Sequence, residues 1–453
     1  MKTIRHCLFG LSLLLAVSVH AATTVTNISA NYGDSLFVKS DGSLWAMGWN
    51  FAGQLGDGTT NSRTAPVQIL SSGVSTVAAG YGFSLFTKMD NSLWGMGEAD
   101  PIGLDTFYFA GNSLTPQQIE GSSVSTVAAG YQHSGFLTPG GSLWMIGDDY
   151  YGELGDNYYY ETANLTNFPP EQIIISGVTE VSCGGGFTLF ISSGGSLWGM
   201  GYNYYGGLGD GTYTNHPTPE EILPNGVRHV AAGSDFSLVV KTDGSLWGMG
   251  DNYSGQLGLG STSYVNTPTQ IVASNVVAAA AGEDFSLFLE NDGSLWAMGD
   301  NGYGQFGNGN YNSTNTPIKV MPSGITAIAV GNSHSLFIKT DGSLWGMGDN
   351  QYGQLGLGGI SHTNVPVRIV GTSAPQIDIS GVSLSGADLQ IHAINGQAGG
   401  IYYTVTGTNV AQLVTQSVPV ATNTLVVSGN FDITLTNAVN PANPRRFYLI
   451  QQQ

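Results

Sequence analysis

The chain has 453 residues, 41% of them hydrophobic and only 9% charged, which is too apolar for a largely disordered protein. Twelve Lys and Arg stand against 31 Asp and Glu, a net charge of −19 at neutral pH. A field of that sign repels phosphate backbones and anionic lipid, so it argues against nucleic acid or an anionic membrane face as a partner.

The first element is not part of a fold. Lys2 and Arg5 precede an apolar run from Leu8 to Val19, and Val19-His20-Ala21 has the small-x-small form of a cleavage site. The run is too short to span a bilayer. Residues 1–21 are therefore expected to be a signal peptide, with Ala22 the first mature residue. The expected product is soluble and exported: secreted, periplasmic or on the cell surface, without membrane insertion. Cys7 lies within the basic region, so no lipid-anchoring cysteine marks the cut. Cleavage leaves ten Lys and Arg, a net charge of −21, and Cys183 as the one remaining cysteine. No intramolecular disulfide is then available, and stability must come from packing.

A repeat follows. Gly-Ser-Leu-Trp, once Asn-Ser-Leu-Trp, ends at Trp45, Trp94, Trp144, Trp198, Trp247, Trp296 and Trp345, at intervals of 49, 50, 54, 49, 49 and 49 residues. One unit shows the grammar. Val227–Ala232 reads as a short strand ended by Gly233, Phe236–Val240 as a second, and Ser245–Met249 as a third. Asp243-Gly244 between the last two reads as a two-residue turn with both residues at positive φ. A Gly-rich loop, Asn252–Gly260, leads to a final strand near Thr269–Val272. Asp-Gly becomes Gly140-Gly141, Gly194-Gly195 or Asp90-Asn91 elsewhere, all tolerant of positive φ. Four short strands per unit, seven times, with no sustained 3.6-residue period, predict an all-β, seven-bladed β-propeller over 22–371. The seven Trp are expected to pack between blades.

Gly-x-x-His-Ser (Gly130–Ser134, Gly331–Ser335), Asp-Gly-Ser-Leu-Trp, Met-Gly-x-Asn and Gly-Gln-Leu-Gly-x-Gly resemble the repeat of the regulator of chromosome condensation family. The resemblance covers residues 24–370 and differs in placing Met before the Gly where Trp is usual. It implies a seven-bladed propeller. It does not carry over the founder's nucleotide exchange on a nuclear GTPase or its nucleosome binding, since this chain is acidic and lacks a basic tail. Secreted bacterial members include protein-binding inhibitors, which shows what the scaffold can do rather than what this chain binds.

Beyond Gly371-Thr-Ser-Ala-Pro375 the Trp motif stops. Strands are expected at Ile377–Leu384, Asp388–Ala393, Ile401–Thr406, Thr424–Ser428 and Phe447–Ile450, separated by Gly, Asn and Pro. Residues 372–453 are read as a small Ig- or fibronectin-like β-sandwich serving as a spacer or attachment module.

Candidate binding residues come from the loop after each Trp strand: Phe51, Tyr150, Tyr151, Tyr204, Tyr205, Tyr253, Tyr303 and Tyr352, expected as a circle near one mouth of the channel. Tyr gives large amphipathic contact at small entropic cost. The competing reading is that each ring packs on the adjacent blade. Two irregular loops add Tyr108 (in Phe107-Tyr108-Phe109) and Tyr159 (in Tyr158-Tyr159-Tyr160) as a further aromatic bulge.

No catalytic set emerges. His133 and His334 share a slot with Phe83, Phe187, Phe236 and Phe285, which favours packing. Asp57-Gly58 and Asp210-Gly211 fit turns better than calcium loops. Arg63, Arg228 and Arg368 fall at different repeat positions, which argues against their convergence as a carboxylate-binding triad. Cys183 reads as a small buried residue. The expectation is a monomeric, non-enzymatic scaffold without cofactor or metal, whose loop face binds an extracellular protein. A glycan- or polysaccharide-binding surface protein is the alternative, and a cryptic glycan-cleaving enzyme a third reading that lacks its acid, base and cation.

Overall fold

The computed structural model describes residues 23–99, 102, 111–157 and 170–371, and the backbone of six strands between Asp378 and Gln452. Thr24–Gly371 forms one compact unit of seven four-stranded sheets. Blade 1 is β1 (Val25–Asn31), β2 (Asp34–Lys39), β3 (Leu44–Gly48) and β4 (Arg63–Leu70), paired antiparallel in that order. Blades 2 to 7 repeat it over Val74–Glu120, Thr126–Ile174, Val178–Leu223, Val227–Val272, Val276–Met321 and Ile325–Val370. Inner strands touch in sequence and the seventh touches the first, which closes the ring as the repeat predicts. No α-helix occurs among the described residues, and none there is long and apolar enough to cross a membrane.

The strand sequences follow from position in the blade. Second and third strands are covered by neighbouring blades, so they are mostly apolar and do not alternate with exposed positions, as in Phe-Ser-Leu-Phe of blades 2 and 6, where the serine is buried too. Outer strands such as β4 mix exposed and half-buried positions. Each seam between blades holds one apolar cluster, seven in all. Each blade is a continuous stretch of chain, so closure rests on packing of Val25, Phe37 and Met47 against Leu336, Ile338 and Leu344 of blade 7. Val25 N also donates to Gly342 O at 2.9 Å.

The inner edge of a sheet exposes unpaired backbone groups unless something covers them. Here side chains of the preceding blade do so: Val77 N donates to Asn27 Oδ1 (3.1 Å), Ala79 N to Ser29 Oγ (2.9 Å) and Ala232 N to Ser182 Oγ (3.0 Å).

Two local expectations change. In the Asp-Gly turn only the second residue has positive φ, 77° at Gly42 and 64° at Asn91. Gly42 N donates to Lys39 O (2.8 Å) and Lys39 N to Ser43 O (3.0 Å), which makes a three-residue loop with a glycine bulge rather than a two-residue turn. Asp41 is free to accept from Ser43 N at 2.9 Å, a bond that favours this form. The Trp residues do lie at the seams, but half-buried. Trp45 stacks on Phe37 at 6.2 Å, its Nε1 donates to Ser43 Oγ at 2.9 Å, and Lys39 Nζ sits 4.1 Å from its ring. Lys88 and Trp94, Lys241 and Trp247, and Lys339 and Trp345 repeat the arrangement.

The chain from Thr372 belongs to a separate unit. Its strands Asp378–Ser385, Asp388–Gly396 and Gly429–Leu435 form one antiparallel sheet, and Val418–Thr424, Ile401–Gly407 and Phe447–Gln452 another. Apart from Thr424, the strand expected at Thr424–Ser428 lies outside the described residues, as do residues 1–22.

Candidate functional site

Within each blade two connections emerge on one face: the tight turn between first and second strands, and the long loop between third and fourth. Backbone bonds tie them together. Trp49 N donates to Gly33 O (2.8 Å), Tyr202 N to Gly186 O (2.8 Å), Asp251 N to Asp235 O (3.0 Å) and Asp300 N to Asp284 O (2.8 Å). Adjacent turns join around the channel mouth through Tyr81 N to Gly130 O, Tyr131 N to Gly184 O and Ser234 N to Gly282 O, at 3.1–3.2 Å. The channel beneath holds about 260 Å³ and is lined by small residues such as Ala79, Ala129, Cys183 and Ala232. At Gly184 an added Cβ would meet Gly233 O at 2.6 Å, so neighbouring turns can approach this closely only without a side chain there.

The mouth is two-sided. Blades 1 to 3 carry Tyr32, Tyr81 and Tyr131 in their inner turns. Tyr32 and Tyr81 meet edge-on at 4.8 Å, Tyr81 and Tyr131 lie 5.7 Å apart, and Trp49 joins Tyr32 at 5.0 Å and Tyr81 at 5.6 Å. Blades 5 and 6 carry Ser234-Asp235 and Glu283-Asp284 at the same positions, with Asp251 and Asp300 beside them. Burial, then the nearby Asp251 and Asp284 charges, hold the Asp235 carboxyl up at about 6, with Ser234 Oγ donating to it at 3.4 Å in opposition. Burial raises Glu283 and Asp284 as well, reinforced by their acidic neighbours. Tyr131 is pushed up to about 12, first by burial and then by Glu283, Asp235 and Asp284 across the mouth.

Among the described residues the aromatic loop side chains lie outside this inner set, in several separate groups. Phe51 (68% exposed) stacks on Trp49 at 5.9 Å, and Tyr352 reaches Trp49 at 5.9 Å. Tyr150 meets Tyr151 at 4.8 Å, Tyr151 meets Tyr202 at 4.6 Å, and Tyr202 adjoins Tyr204 and Tyr205. Tyr303 meets His362 edge-on at 5.2 Å, whereas Tyr253, 76% exposed, projects into solvent. Tyr352 and Tyr151 each lie over a glycine in the next blade's inner turn, Gly33 and Gly186. These two pack as the competing reading supposed, while Phe51, Tyr204 and Tyr253 are open. Tyr108 and Tyr159 lie outside the described residues. The inner set Tyr32, Tyr81, Tyr131 and Trp49 escaped the sequence reading. Aligning the two residues after each first strand would have found the three Tyr.

The loops themselves are rigidly built. Asn50 Oδ1 accepts from Leu55 N (3.0 Å), and Gln54 Oε1 from Ala52 N (3.0 Å). Blades 5 to 7 repeat this with Asn252/Gln256, Asn301/Gln305 and Asn350/Gln354. Described loops also grip the next blade: Gly58 N donates to Leu114 O, Gly260 N to Asn315 O, and Gly358 N to Thr64 O across the closure, at 2.7–2.8 Å. Blade 3 substitutes Asp149 and Glu153, which accept from Leu154 N (2.9 Å) and Tyr151 N (2.6 Å). Burial drives the Asp149 carboxyl to about 8, reinforced by Asp156 and Asp148, and Glu153 well above its ordinary value.

The two slot histidines do not form a reactive centre. His334 Nε2 lies 2.9 Å from Ser35 Oγ, but both are fully buried, and Ser35 Oγ donates to Gln354 O at 2.9 Å. The serine proton is thus committed to a carbonyl, and the imidazole donates to the oxygen. Burial lowers His334 to about 3 and His133 to about 4. Cys183 is buried and its thiol is pushed up to about 12. Among the described residues no group of three or more His, Cys, Asp or Glu could hold a metal ion.

Comparison with known proteins agrees with this architecture. The family model of the RCC1-like domain matches residues 164–413, and that of the regulator of chromosome condensation (RCC1) repeat matches residues 41–87. Human WBSCR16 is 24% identical with a TM-score of 0.65, over 74% of this chain and 96% of that one. Prp20p from Saccharomyces cerevisiae, studied for binding to Gsp1p and histones, is 19% identical with a TM-score of 0.63, over 80% of this chain and 91% of that one. Yeast RCC1 (Prp20), solved with Kap60 bound to it, is 20% identical with a TM-score of 0.63, over 85% of this chain and 95% of that one. At these identities the likeness is one of fold. No curated protein matches the sequence.

Proposed function

The chain belongs to the RCC1-like domain family, and from that premise we propose that it is an exported, non-enzymatic scaffold whose channel-mouth face binds another protein. The observation that carries the reading is the set of exposed rings, Phe51, Tyr204, Tyr253 and Tyr303, standing on loops braced to the next blade. Aromatic side chains held on a rigid base are the usual anchors of protein interfaces. The fold relatives Prp20p, with Gsp1p and histones, and yeast RCC1, with Kap60, offer precedent for protein partners. The burial of His133, His334 and Ser35 supports a non-catalytic role. The N-terminal segment supports export, and N-terminal sequencing of the product outside the cytoplasm should begin at Ala22.

The test is affinity capture from the producer's exported fraction with the mature chain and its Phe51→Ala/Tyr204→Ala/Tyr253→Ala/Tyr303→Ala variant. A protein retained by the first and lost by the second, at unchanged melting temperature, supports the proposal. A glycan array run beside it covers the second reading, favoured by Tyr253 standing open next to Asp251. A Tyr-dependent glycan hit without a protein partner replaces the protein-binding reading.

A further inference from the structure

Resting on the reading that the mouth binds a protein, we propose that it docks a Lys/Arg-rich segment of that partner. The cationic heads meet the carboxylates of blades 5 and 6, and the alkyl stems lie on the Tyr floor of blades 1 to 3.

Charge segregation carries the argument. No Lys or Arg occurs in any inner turn, and none occurs in the long loops up to the start of the outer strands. Arg63, the one cation where an outer strand begins, is paired with Asp57. Lys39, Lys88, Lys241 and Lys339 stand at the far end of the second strands, each over a Trp. His216 and His362 pair with Asp210 and Asp349 in the loops of blades 4 and 7, which leaves neighbouring Asp235, Asp251, Glu283, Asp284 and Asp300 in blades 5 and 6 without a Lys or Arg among them, repelling one another until a cation arrives.

The aromatic half makes the surface selective. Tyr32, Tyr81 and Tyr131 are half-buried by one another and by Trp49, so their faces are fixed before any ligand binds. Fixed rings attract Lys and Arg, and the molecule already uses that contact on its other side, where Lys88 Nζ lies 3.5 Å from the Trp94 ring. An acidic segment would meet like charge. A neutral glycan would leave the five carboxylates without a counter-charge.

The probes are deca-lysine, deca-arginine and deca-glutamate peptides titrated into the mature full chain by calorimetry at low and physiological salt. Two variants of equal charge loss are compared: Asp235→Asn/Glu283→Gln/Asp284→Asn at the mouth, and Asp243→Asn/Asp292→Asn/Asp341→Asn in the hairpin turns of the opposite face. The expected result is cationic binding weakened about tenfold or more by the mouth variant and less than about twofold by the other. Tyr81→Leu should weaken it further, whereas Tyr81→Phe, which keeps the ring, should not. Equal loss in the two variants means diffuse attraction to an acidic protein and overturns the proposal, as does failure of either cationic peptide to bind. If that failure coincides with a captured partner lost by the Phe51/Tyr204/Tyr253/Tyr303 variant, the scaffold reading stands and only the cationic segment falls.

Discussion

Ser35 of blade 1 and His334 of blade 7 meet at 2.9 Å across the seam where the ring closes. His133 and Thr188 repeat the bond at 3.0 Å between blades 3 and 4. At the other five seams the slot before the hydroxyl residue holds Phe or Asp, so a histidine here is one of several fillings of a structural pocket.

This fixes an acid limit on stability. Both histidines are held below their ordinary value, to about 4 and about 3. An unfolded histidine titrates near 6.5, so the stability they allow is complete above that pH and is lost as pH falls towards the folded values. The His133→Phe/His334→Phe variant, which copies four other blades, should fold and resist acid. Denaturant melts between pH 7 and 4 should show the parent losing roughly 3 kcal/mol per histidine more than the variant. Parallel pH profiles would refute the burial argument.

Blade 1 departs from the rule at two coupled positions. Asp34 fills the Phe slot, fully buried with neither oxygen hydrogen-bonded, and burial raises it well above the usual carboxylate range. Asn31 replaces the glycine that lies against the slot ring elsewhere; at Gly233 an added Cβ would meet the Phe236 ring at 2.6 Å. Asp34→Phe alone should overpack against Asn31 and lose about 1–3 kcal/mol. Asn31→Gly/Asp34→Phe should instead exceed the parent, most clearly at neutral and alkaline pH where the buried acid costs most. Additive effects in this cycle would show that the two sites are independent.

Blade 3 offers the opposite pH dependence. Asp149 and Glu153 have raised pKa values, so their folded forms are best tolerated while protonated, and stability is lost as pH rises through about 8 for Asp149. Asp149→Asn/Glu153→Gln restores the side chains of four other loops. Its advantage in melting free energy should grow by more than about 1 kcal/mol between pH 5 and 9. A constant offset would mean that the carboxyls are not titrating in the fold.

Much of this was readable before the structure, because a repeat writes the same local physics seven times. The Gly-Ser-Leu-Trp spacing located every third strand, and the slot shared by His133, His334 and four Phe already pointed to packing. The Asp41-Gly42 turn was misjudged because Asp-Gly suits two hairpin loops, and the Asp41 to Ser43 bond that selects between them is a three-dimensional fact. The half-exposed Trp were hidden likewise: Lys39, six residues away in sequence, covers the Trp45 face that the neighbouring blade leaves open. The mouth was partly missed because Tyr32, Tyr81 and Tyr131 each sit singly between glycine-rich or polar residues. They become a surface only when the ring brings turns about fifty residues apart within ring-contact distance.

The most direct test of a binding face at the channel mouth is hydroxyl-radical footprinting of the mature chain with and without its captured partner. Binding should protect Trp49, Tyr81, Tyr204 and Tyr253 while Trp45, Trp94 and Trp345, reached from the far end of the second strands, keep their free reactivity. Protection of the second group with the first unchanged would place the partner on the opposite face and rule out binding at the channel mouth.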